Sequence, residues 1–306
     1  MAVCIGKGKA TAAKAAADKM CEASRRMAMP RRDFIAASAA FAVSPLMSAA
    51  GRAVKTPLML DTKRMAIWDG PGIRTTFFVK GCPLKCIWCH NPESIEPEAQ
   101  WARFRHLCKR CAKCTMDEAT CPTRALKRYG KPMTIGEIVS KALEDKAFYD
   151  ESGGGVTLSG GEPLFFWEWA AELFKAFKAA GLHTCLDTSL YAPPAAIDAL
   201  LPVTDMWLPD YKADDDALHV RYTGVSNAVV RKNLERLVAA KAKMEVRCLV
   251  VPGCTDGEDV AARHRYLNSI GVGERSIVDL EYFDYARSKY LALGMKDTMP
   301  LKPSVP

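Results

Sequence analysis

Residues 75–89 read Thr-Thr-Phe-Phe-Val-Lys-Gly-Cys-Pro-Leu-Lys-Cys-Ile-Trp-Cys, a β-rich run that leads directly into three closely spaced cysteines. The β-branched and aromatic residues at its start predict a strand, and the loop that follows has the spacing Cys82-x3-Cys86-x2-Cys89. Three thiolates on one short loop can hold three irons of a 4Fe–4S cube and leave the fourth iron open, as a catalytic metal site requires. A closed zinc site would need a fourth ligand, which His90 is poorly placed to supply.

The composition is that of a globular protein. The chain has 306 residues, of which 49% are hydrophobic and 25% are charged, which excludes collagen-like, coiled-coil and wholly disordered chains. Residues 1–55 hold ten Lys and Arg against three Asp and Glu, so they account for +7 of the net charge of +8. The rest of the chain is nearly neutral, and no apolar run is long enough to span a membrane. We therefore expect neither a nucleic-acid partner nor a stable membrane association.

The first 55 residues are rich in Ala, Lys and Arg, which is typical of a tail or a targeting segment. Arg31-Arg32, with Phe34 and a mildly apolar stretch after it, resembles a twin-arginine export signal. Thirty residues precede the Arg pair and Pro45 interrupts the apolar run, so a disordered extension or a mis-set translation start is the alternative. In each case the folded core is expected in residues 56–306.

Six short β-rich runs alternate with amphipathic helices in this core. The predicted strands lie at residues 75–79, 156–158, 183–186, 206–208, 245–251 and 276–280. The clearest helix begins at Thr134, which has capping-box spacing with Glu137, and further helices are predicted at residues 167–180 and 227–240. This alternation predicts an α/β fold with a parallel sheet built from right-handed crossovers. The polar motifs follow the strands, where such folds assemble their sites.

A second set of cysteines lies in a predicted insertion at residues 95–129. Its members are Cys108, Cys111, Cys114 and Cys121, and their spacing resembles a bacterial ferredoxin run with a longer last gap. Four thiolates suit an auxiliary 4Fe–4S cluster that relays electrons, with structural zinc or free thiols as the alternatives. The basic residues around them could receive an acidic flavodoxin or ferredoxin-type electron donor, or could form a plain solvated surface; they are Arg103, Arg105, Lys109, Arg110 and Lys113.

Further motifs occur in a fixed order along the chain. They are Asp69-Gly-Pro-Gly-Ile-Arg-Thr75, Gly81-Cys-Pro-Leu-Lys-Cys-Ile-Trp-Cys-His-Asn-Pro92, Ser152-Gly-Gly-Gly-Val-Thr-Leu-Ser-Gly-Gly-Glu-Pro163, Gly181-Leu-His-Thr-Cys-Leu-Asp-Thr188, Asp210-Tyr-Lys212 and Arg247-Cys-Leu-Val-Val-Pro-Gly253. In this series the sequence resembles the radical S-adenosylmethionine superfamily, and within it the glycyl-radical-enzyme activating enzymes. The resemblance runs from about residue 69 to residue 295. It implies a partial (β/α)6 TIM barrel of the radical SAM type with a small ferredoxin-like, cluster-binding insertion.

The resemblance implies that the chain is an activase. In such an enzyme the cluster on Cys82, Cys86 and Cys89 reductively cleaves S-adenosylmethionine, and a hydrogen is then abstracted from a glycine of a partner glycyl radical enzyme. A glycine suits this reaction because its backbone, lacking a Cβ, can enter a tight site. The resemblance also places a group of residues beside the adenosyl moiety, namely Trp88, Cys89 and His90.

The resemblance assigns the remaining cofactor contacts to three loops. The methionyl amino group is expected on Gly160, Gly161 and Glu162, because glycines let the backbone approach closely and a carboxylate accepts from an ammonium. Asp187 and Asp210 would hold a monovalent cation against the carboxylate of the cofactor, and Lys212 would offset the negative charge further. The alternative for the two aspartates is a surface role as helix caps.

Three residues are candidates for gripping the glycine loop of the partner, namely Asp69, Arg74 and Arg247. The two arginines could instead be structural ion-pair residues. The chain departs from the family where Ser189-Leu190 replaces the usual Asn-Gly, and where Phe283 stands in place of a histidine near the cofactor.

Two other classes of function remain open at the level of sequence. One is a radical SAM dehydrogenase or maturase that acts on another protein or a small substrate, and the other is a non-enzymatic iron–sulfur electron-transfer protein. The latter leaves Gly160, Gly161 and Glu162 unexplained. Because the cofactor and the reductant are intracellular, the cytoplasm is expected to be the compartment.

Overall fold

The computed structural model of the chain describes residues 55–297 and Met299. Residues 1–54, with the predicted extension or export signal, lie outside the described residues. The strands are β1 (Leu58–Ala66), β2 (Arg74–Lys80), β3 (Gln100–Arg103), β4 (Leu126–Tyr129), β5 (Gly155–Gly160), β6 (Thr184–Thr188), β7 (Met206–Pro209), β8 (Val246–Val250) and β9 (Ile277–Glu281). The helices are α1 (Ile135–Leu143), α2 (Lys146–Ser152), α3 (Trp167–Ala179), α4 (Pro194–Leu200), α5 (Asp216–Thr223), α6 (Ala228–Ala239), α7 (Glu258–Ser269) and α8 (Arg287–Ala292). No helix in this described part of the chain has the length and apolar character needed to cross a membrane.

Six parallel strands form the core of the fold. β2, β5, β6 and β7 are hydrogen-bonded neighbours in this order, and β1 pairs antiparallel with β2 at the edge. β8 and β9 form a second parallel pair, and parallel bridges from Trp207 to Met244 and from Asp210 to Arg247 connect it to the end of β7. Helices α1 to α7 lie between successive parallel strands along the chain. This arrangement confirms the predicted partial (β/α)6 barrel.

All six predicted strands are present, and the local signals explain their positions. The inner strands β2 and β5 are buried along nearly their whole length, as expected for parallel strands covered on both faces. The predicted capping box is also present: the Thr134 side chain accepts from the Glu137 N–H at 3.2 Å, and the Glu137 carboxylate accepts from the Thr134 N–H at 2.7 Å. β1 and the β3–β4 pair were not predicted.

The antiparallel β3–β4 pair brackets the second cysteine set and packs against the last helix. Ala102 and Tyr129 form a buried cluster with Ala292 of α8, and Phe104 and Leu293 pack on it. The base of the predicted insertion is thus attached to the C-terminal helix of the barrel. The boundaries of the insertion at residues 95–129 stay a prediction.

Two glycine motifs meet backbone to backbone at the amino ends of β2 and β5. A Cβ built on Gly154 would lie 1.8 Å from the carbonyl oxygen of Ile73, and one on Gly72 would lie 2.5 Å from the Gly154 nitrogen. The Ile73 N–H also donates to the Ser152 hydroxyl at 2.8 Å. Both motifs therefore require glycine for close packing of the chain upon itself.

Gly154→Ala is expected to lower the free energy of unfolding by about 3 kcal/mol, because the added methyl group overlaps a main-chain oxygen that cannot move without displacing β2. Gly136→Ala is the matched control, since a Cβ there would lie 4.0 Å from the nearest atom, the hydroxyl oxygen of Thr134. Alanine in helix α1 should stabilise by about 0.5–1 kcal/mol. Anaerobic thermal unfolding of both variants checks this, and equal melting temperatures would contradict it.

Candidate active site

The three-cysteine loop, residues 82–89, leaves the carboxyl end of β2. Its base is closed by the segment that follows it: the N–H groups of Gly81 and Cys82 donate to the carbonyl oxygens of Ser94 and Ile95 at 2.7 and 2.9 Å. Two strand-like contacts with the end of α5 hold its middle, since the Lys85 and Ile87 N–H groups donate to carbonyl oxygens there at 2.8 and 3.0 Å. The loop is therefore fixed by main-chain hydrogen bonds on two sides.

Trp88 anchors the loop in the apolar interior. It belongs to a buried cluster with Tyr222, Val251, Cys254 and Tyr282, and its ring centroid lies 5.7 Å from that of Tyr222. The structure thus shows a packing role for Trp88, and its predicted place beside the adenosyl group stays a prediction.

The thiols of the loop are suited to a soft metal group. Burial raises the pKa of all three, to about 12 for Cys89, so the protein alone does not favour their thiolate forms. A bound metal supplies the positive charge that makes such thiols ionise, and sulfur ligands select iron–sulfur clusters over hard cations. In the described part of the chain, no three His, Cys, Asp or Glu side chains converge on one point as ligands of a single ion.

The glycine pair that follows β5 packs against the base of the cysteine loop. Gly160 has φ of +119°, and a Cβ there would lie 2.3 Å from the nitrogen and oxygen of Val79. A Cβ on Gly161 would lie 2.3 Å from the carbonyl oxygen of Gly81. The Gly161 and Glu162 N–H groups donate to Val79 and Gly81 carbonyl oxygens at 2.8 and 2.9 Å. These glycines therefore bring two strand ends together next to Cys82.

Glu162 is buried and its carboxylate is saturated by hydrogen bonds from the protein. Oε1 accepts from the Leu164 N–H at 2.9 Å and the Thr188 hydroxyl at 2.6 Å, while Oε2 accepts from the N–H of Ser189 at 2.7 Å and from its hydroxyl. These four hydrogen bonds join the ends of β5 and β6 through Glu162. The predicted contact of this carboxylate with the methionyl ammonium stays a prediction. Ser189 is visible in the sequence only as a departure from the family pattern.

Four charged side chains from β6, from β8 and from the segment after β7 form two ion pairs. Asp187 accepts from the Ser159 hydroxyl at 2.6 Å and lies 3.3 Å from Nη1 of Arg247. Burial raises the pKa of Asp187 to about 6. Lys212 donates to Asp210 at 3.0 Å, and although burial opposes its charge, the carboxylate of Asp210 and the nearby thiol of Cys86 raise its pKa. The structure therefore brings these charged groups together beside the cysteine loop.

Comparison with known proteins decides the family. Residues 76–264 match the Radical SAM superfamily. The chain is 37% identical over 271 residues to the (2S)-3-sulfopropanediol dehydratase activating enzyme of Klebsiella oxytoca, covering 78% of this chain and 86% of that one. The chain belongs to the glycyl-radical-enzyme activating enzymes of the radical SAM superfamily. This assignment favours the activase over both rival classes of function.

Two further relatives agree with this assignment. The benzylsuccinate synthase activating enzyme of Thauera aromatica is 33% identical over 274 residues, with 79% of this chain and 83% of that one covered. The pyruvate formate-lyase 2-activating enzyme of Escherichia coli is 32% identical over 247 residues, with 80% and 84% covered. As a member of this family, the protein is an enzyme that uses a 4Fe–4S cluster and S-adenosylmethionine to generate a glycyl radical on a partner enzyme.

Two of the three residues expected to contact the partner, Asp69 and Arg247, keep some exposed surface. Asp69 is one-fifth exposed, accepts from the Thr76 hydroxyl at 2.7 Å and lies 3.8 Å from Lys63. Arg247 donates to the carbonyl oxygen of Trp68 at 3.3 Å besides its pair with Asp187. Arg247 is therefore partly a structural ion-pair residue, and Asp69 stays accessible.

Arg74 requires a correction. It has no exposed surface, and its guanidinium donates to the Thr157 hydroxyl at 2.7 Å and to the carbonyl oxygens of Pro71, Val156 and His183. A buried side chain engaged in this way has no contact to offer a partner. Arg74 instead ties β2 to β5 and to the start of β6, and burial lowers its pKa.

His90 and the position of the missing family histidine lie together. Nε2 of His90 donates to the carbonyl oxygen of Phe283, and the His90 ring centroid lies 5.5 Å from that of Tyr282. The Phe283 ring stacks on Tyr285 with centroids 5.7 Å apart. The main chain of residue 283 thus contacts His90, while its side chain packs on Tyr285.

The second cysteine set lines one pocket in the segment that connects β3 to β4. All four cysteines, Cys108, Cys111, Cys114 and Cys121, contribute to its wall. The Arg103 guanidinium donates to the Cys108 sulfur at 3.2 Å and lowers the pKa of that thiol. Hydrogen bonds with the main chain, the largest with Leu126, lower the pKa of Cys121. Four thiols around one pocket, two of them with lowered pKa, fit a group bound by four thiolates.

Proposed function

We propose that Cys82, Cys86 and Cys89 hold the catalytic 4Fe–4S cluster of this activase. The observation that carries this proposal is the loop geometry: three partly buried thiols lie on one loop that main-chain hydrogen bonds fix at its base and its middle. The cluster and S-adenosylmethionine, when bound, supply the radical chemistry that removes a hydrogen atom. The residues described below bind, orient and neutralise the cofactor.

The strand ends around the loop are proposed to bind the methionine part of the cofactor. The carboxylate of Glu162 already accepts four hydrogen bonds from the protein. We therefore expect the ammonium group of the methionine to bind the main chain of Gly160 and Gly161. When the cofactor is bound, its carboxylate would be a third negative charge beside Asp187 and Asp210. We therefore propose that a monovalent cation then joins these three carboxylates. Lys212 contributes a further positive charge. The adenosyl group is expected near Cys89 and His90.

The partner is proposed to contact Asp69 and Arg247, whose side chains keep 20% and 12% of their surface exposed. Overall, one electron and one S-adenosylmethionine give methionine, 5'-deoxyadenosine and one glycyl radical on the partner. The donated electron is needed because the sulfonium bond is cleaved reductively. We place the protein in the cytoplasm, where both the cofactor and the reductant are available.

Electron paramagnetic resonance tests this proposal. The reduced holoprotein is mixed anaerobically with S-adenosylmethionine and, in turn, with the glycyl radical enzymes named for the three relatives above. A persistent glycyl radical doublet on at least one of them, together with 5'-deoxyadenosine, is the expected result. If the reduced holoprotein released no 5'-deoxyadenosine with any of them, the proposal would be wrong.

The second cysteine set is proposed to hold one auxiliary 4Fe–4S cluster that accepts electrons from an acidic flavodoxin or ferredoxin-type protein. The supporting observation is a segregation of charge. Residues 100–131 hold nine Lys and Arg against two Asp and Glu, a net charge of +7, whereas the rest of residues 56–306 carries −6. Cys111 and Cys114 are exposed, and so are Lys109, Arg110 and Lys113 beside them. A donor with an acidic face would therefore be steered to the exposed edge of this cluster.

Reversing the three charges next to the pocket, as Lys109→Glu, Arg110→Glu and Lys113→Glu together, is expected to raise the KM for reduced flavodoxin by about tenfold. Added salt should slow the native enzyme and leave this variant nearly unaffected, because screening weakens only the native attraction. The readout is 5'-deoxyadenosine formation with flavodoxin and, separately, with dithionite.

The control reverses three exposed lysines elsewhere on the barrel, namely Lys232, Lys241 and Lys243. This control should keep the native KM for flavodoxin, and all variants should keep the native rate with dithionite and the native iron content. A native KM in the Lys109, Arg110 and Lys113 variant would show that the donor docks elsewhere.

A further inference from the structure

Lys289 of helix α8 reaches the segment that follows the last cysteine of the loop. Its Nζ donates to the His90 carbonyl oxygen at 2.9 Å and to the Asn91 side-chain oxygen at 2.9 Å, and it lies 2.7 Å from Oε1 of Glu93. An ammonium group has three protons, so these three contacts use its full capacity. One side chain from the far end of the chain thus holds three of the four residues 90–93.

The segment that Lys289 grips is the one that closes the cysteine loop. Residues 94 and 95 accept the hydrogen bonds of Gly81 and Cys82 at the base of the loop. The buried Lys80 also donates to this segment, to the carbonyl oxygens of Glu93 and Glu96 at 2.7 and 2.6 Å. The base of the loop is therefore held by two lysines, one from β2 and one from α8.

Glu93 is buried between these lysines. Its Oε1 pairs with Lys289, while its buried Oε2 has no hydrogen-bond partner among the residues that the structure describes. A buried carboxylate needs compensation, so neutralising Glu93 is one role that Lys289 plainly has. The hydrogen bonds from Lys289 to His90 and Asn91 are not needed to neutralise Glu93, so they indicate that Lys289 has a second role.

Helix α8 is itself well anchored, which lets Lys289 act as a fixed point. Ala292 of α8 is buried against Ala102 and Tyr129 at the base of the second cysteine region. The residues just before α8 surround the His90 ring, with Tyr285 at 6.4 Å between centroids and the Phe283 carbonyl oxygen on Nε2. The C-terminal part of the barrel therefore contacts both cysteine regions.

We propose that Lys289 is a positioning residue for the activase reaction, holding the peptide after Cys89 and the His90 ring in the geometry that S-adenosylmethionine requires. The proposal rests on the proposed ligation of the cluster by Cys89. The His90 carbonyl belongs to the peptide next to that ligand, so its orientation affects both the ligand and the adjacent cofactor surface. Groups that orient ligands in this way commonly change affinity or activity by about 10–100-fold when they are removed.

The test separates positioning from charge neutralisation. Lys289→Met together with Glu93→Gln removes both charges, so a purely neutralising role predicts native behaviour in this double variant. The proposal predicts instead native iron content, a KM for S-adenosylmethionine raised by about tenfold or more, and altered g-values of the reduced cluster with the cofactor. Arg287→Met is the matched control on the same helix, because its guanidinium lies 3.9 Å from Asp297 and is half exposed. It should keep the native KM and spectrum.

Glu93→Gln alone keeps the proposal testable if the double variant does not fold. The glutamine oxygen still accepts from Lys289, and the bonds to His90 and Asn91 remain, so a near-native KM and spectrum are expected. A native KM and spectrum in the double variant, or a KM in Glu93→Gln raised as far as in Lys289→Met, would overturn the proposal. If Cys89 did not ligate the cluster, a different result would show it: a Cys89→Ala protein would cleave S-adenosylmethionine at the native rate.

Discussion

Glu162→Gln is expected to destabilise the protein by about 3 kcal/mol and to abolish most of its activity. Each carboxylate oxygen of Glu162 accepts from a main-chain N–H, one from Leu164 and the other from Ser189. A glutamine amide therefore places its NH2 group against a main-chain N–H in either orientation. The ends of β5 and β6 separate as a result, and these ends carry the glycine pair and Asp187.

Thermal unfolding of the anaerobically purified protein checks this prediction. A loss of about 3 kcal/mol corresponds to a melting temperature lower by about 6–12 °C for a domain of this size. Glu172→Gln is the control, because it weakens a surface ion pair with Lys175 that contributes at most about 1 kcal/mol. An unchanged melting temperature with lost activity would instead favour the role first expected from the sequence, a direct contact with the methionyl ammonium.

The fold could be predicted from the sequence because its signals are local. The strand at residues 75–79 and the helix that begins at Thr134 depend on residue type, spacing and a capping box, and the structure has both. The alternation of such elements then leaves few possible topologies. β1 escaped prediction because four consecutive polar residues, 61–64, interrupt Leu58–Ala66 and most of the strand is only partly buried, as an antiparallel edge strand permits.

The side-chain roles at the site could be predicted less well. Glu162 follows a strand and precedes a proline, but its hydrogen bonds come from Thr188 and Ser189, which no local pattern connects to it. Arg74 lies in a polar motif, yet its neighbours on β5 and before β6 bury it completely. Lys289 contacts a segment about two hundred residues away. Such contacts arise only when the strands are assembled.

The central claim is that the three cysteines after β2 hold the cluster that cleaves the cofactor. It is tested by replacing Cys82, Cys86 and Cys89 together with Ala, and by comparing this protein with Cys111→Ala plus Cys114→Ala. Circular dichroism first establishes that both variants fold. Each is then supplied with iron, sulfide, dithionite and S-adenosylmethionine.

The decisive measurement is the rate of 5'-deoxyadenosine formation with dithionite as the electron source. We expect no product from the protein without Cys82, Cys86 and Cys89, and a near-native rate from the protein without Cys111 and Cys114. Cleavage at the native rate by the first variant would contradict the account.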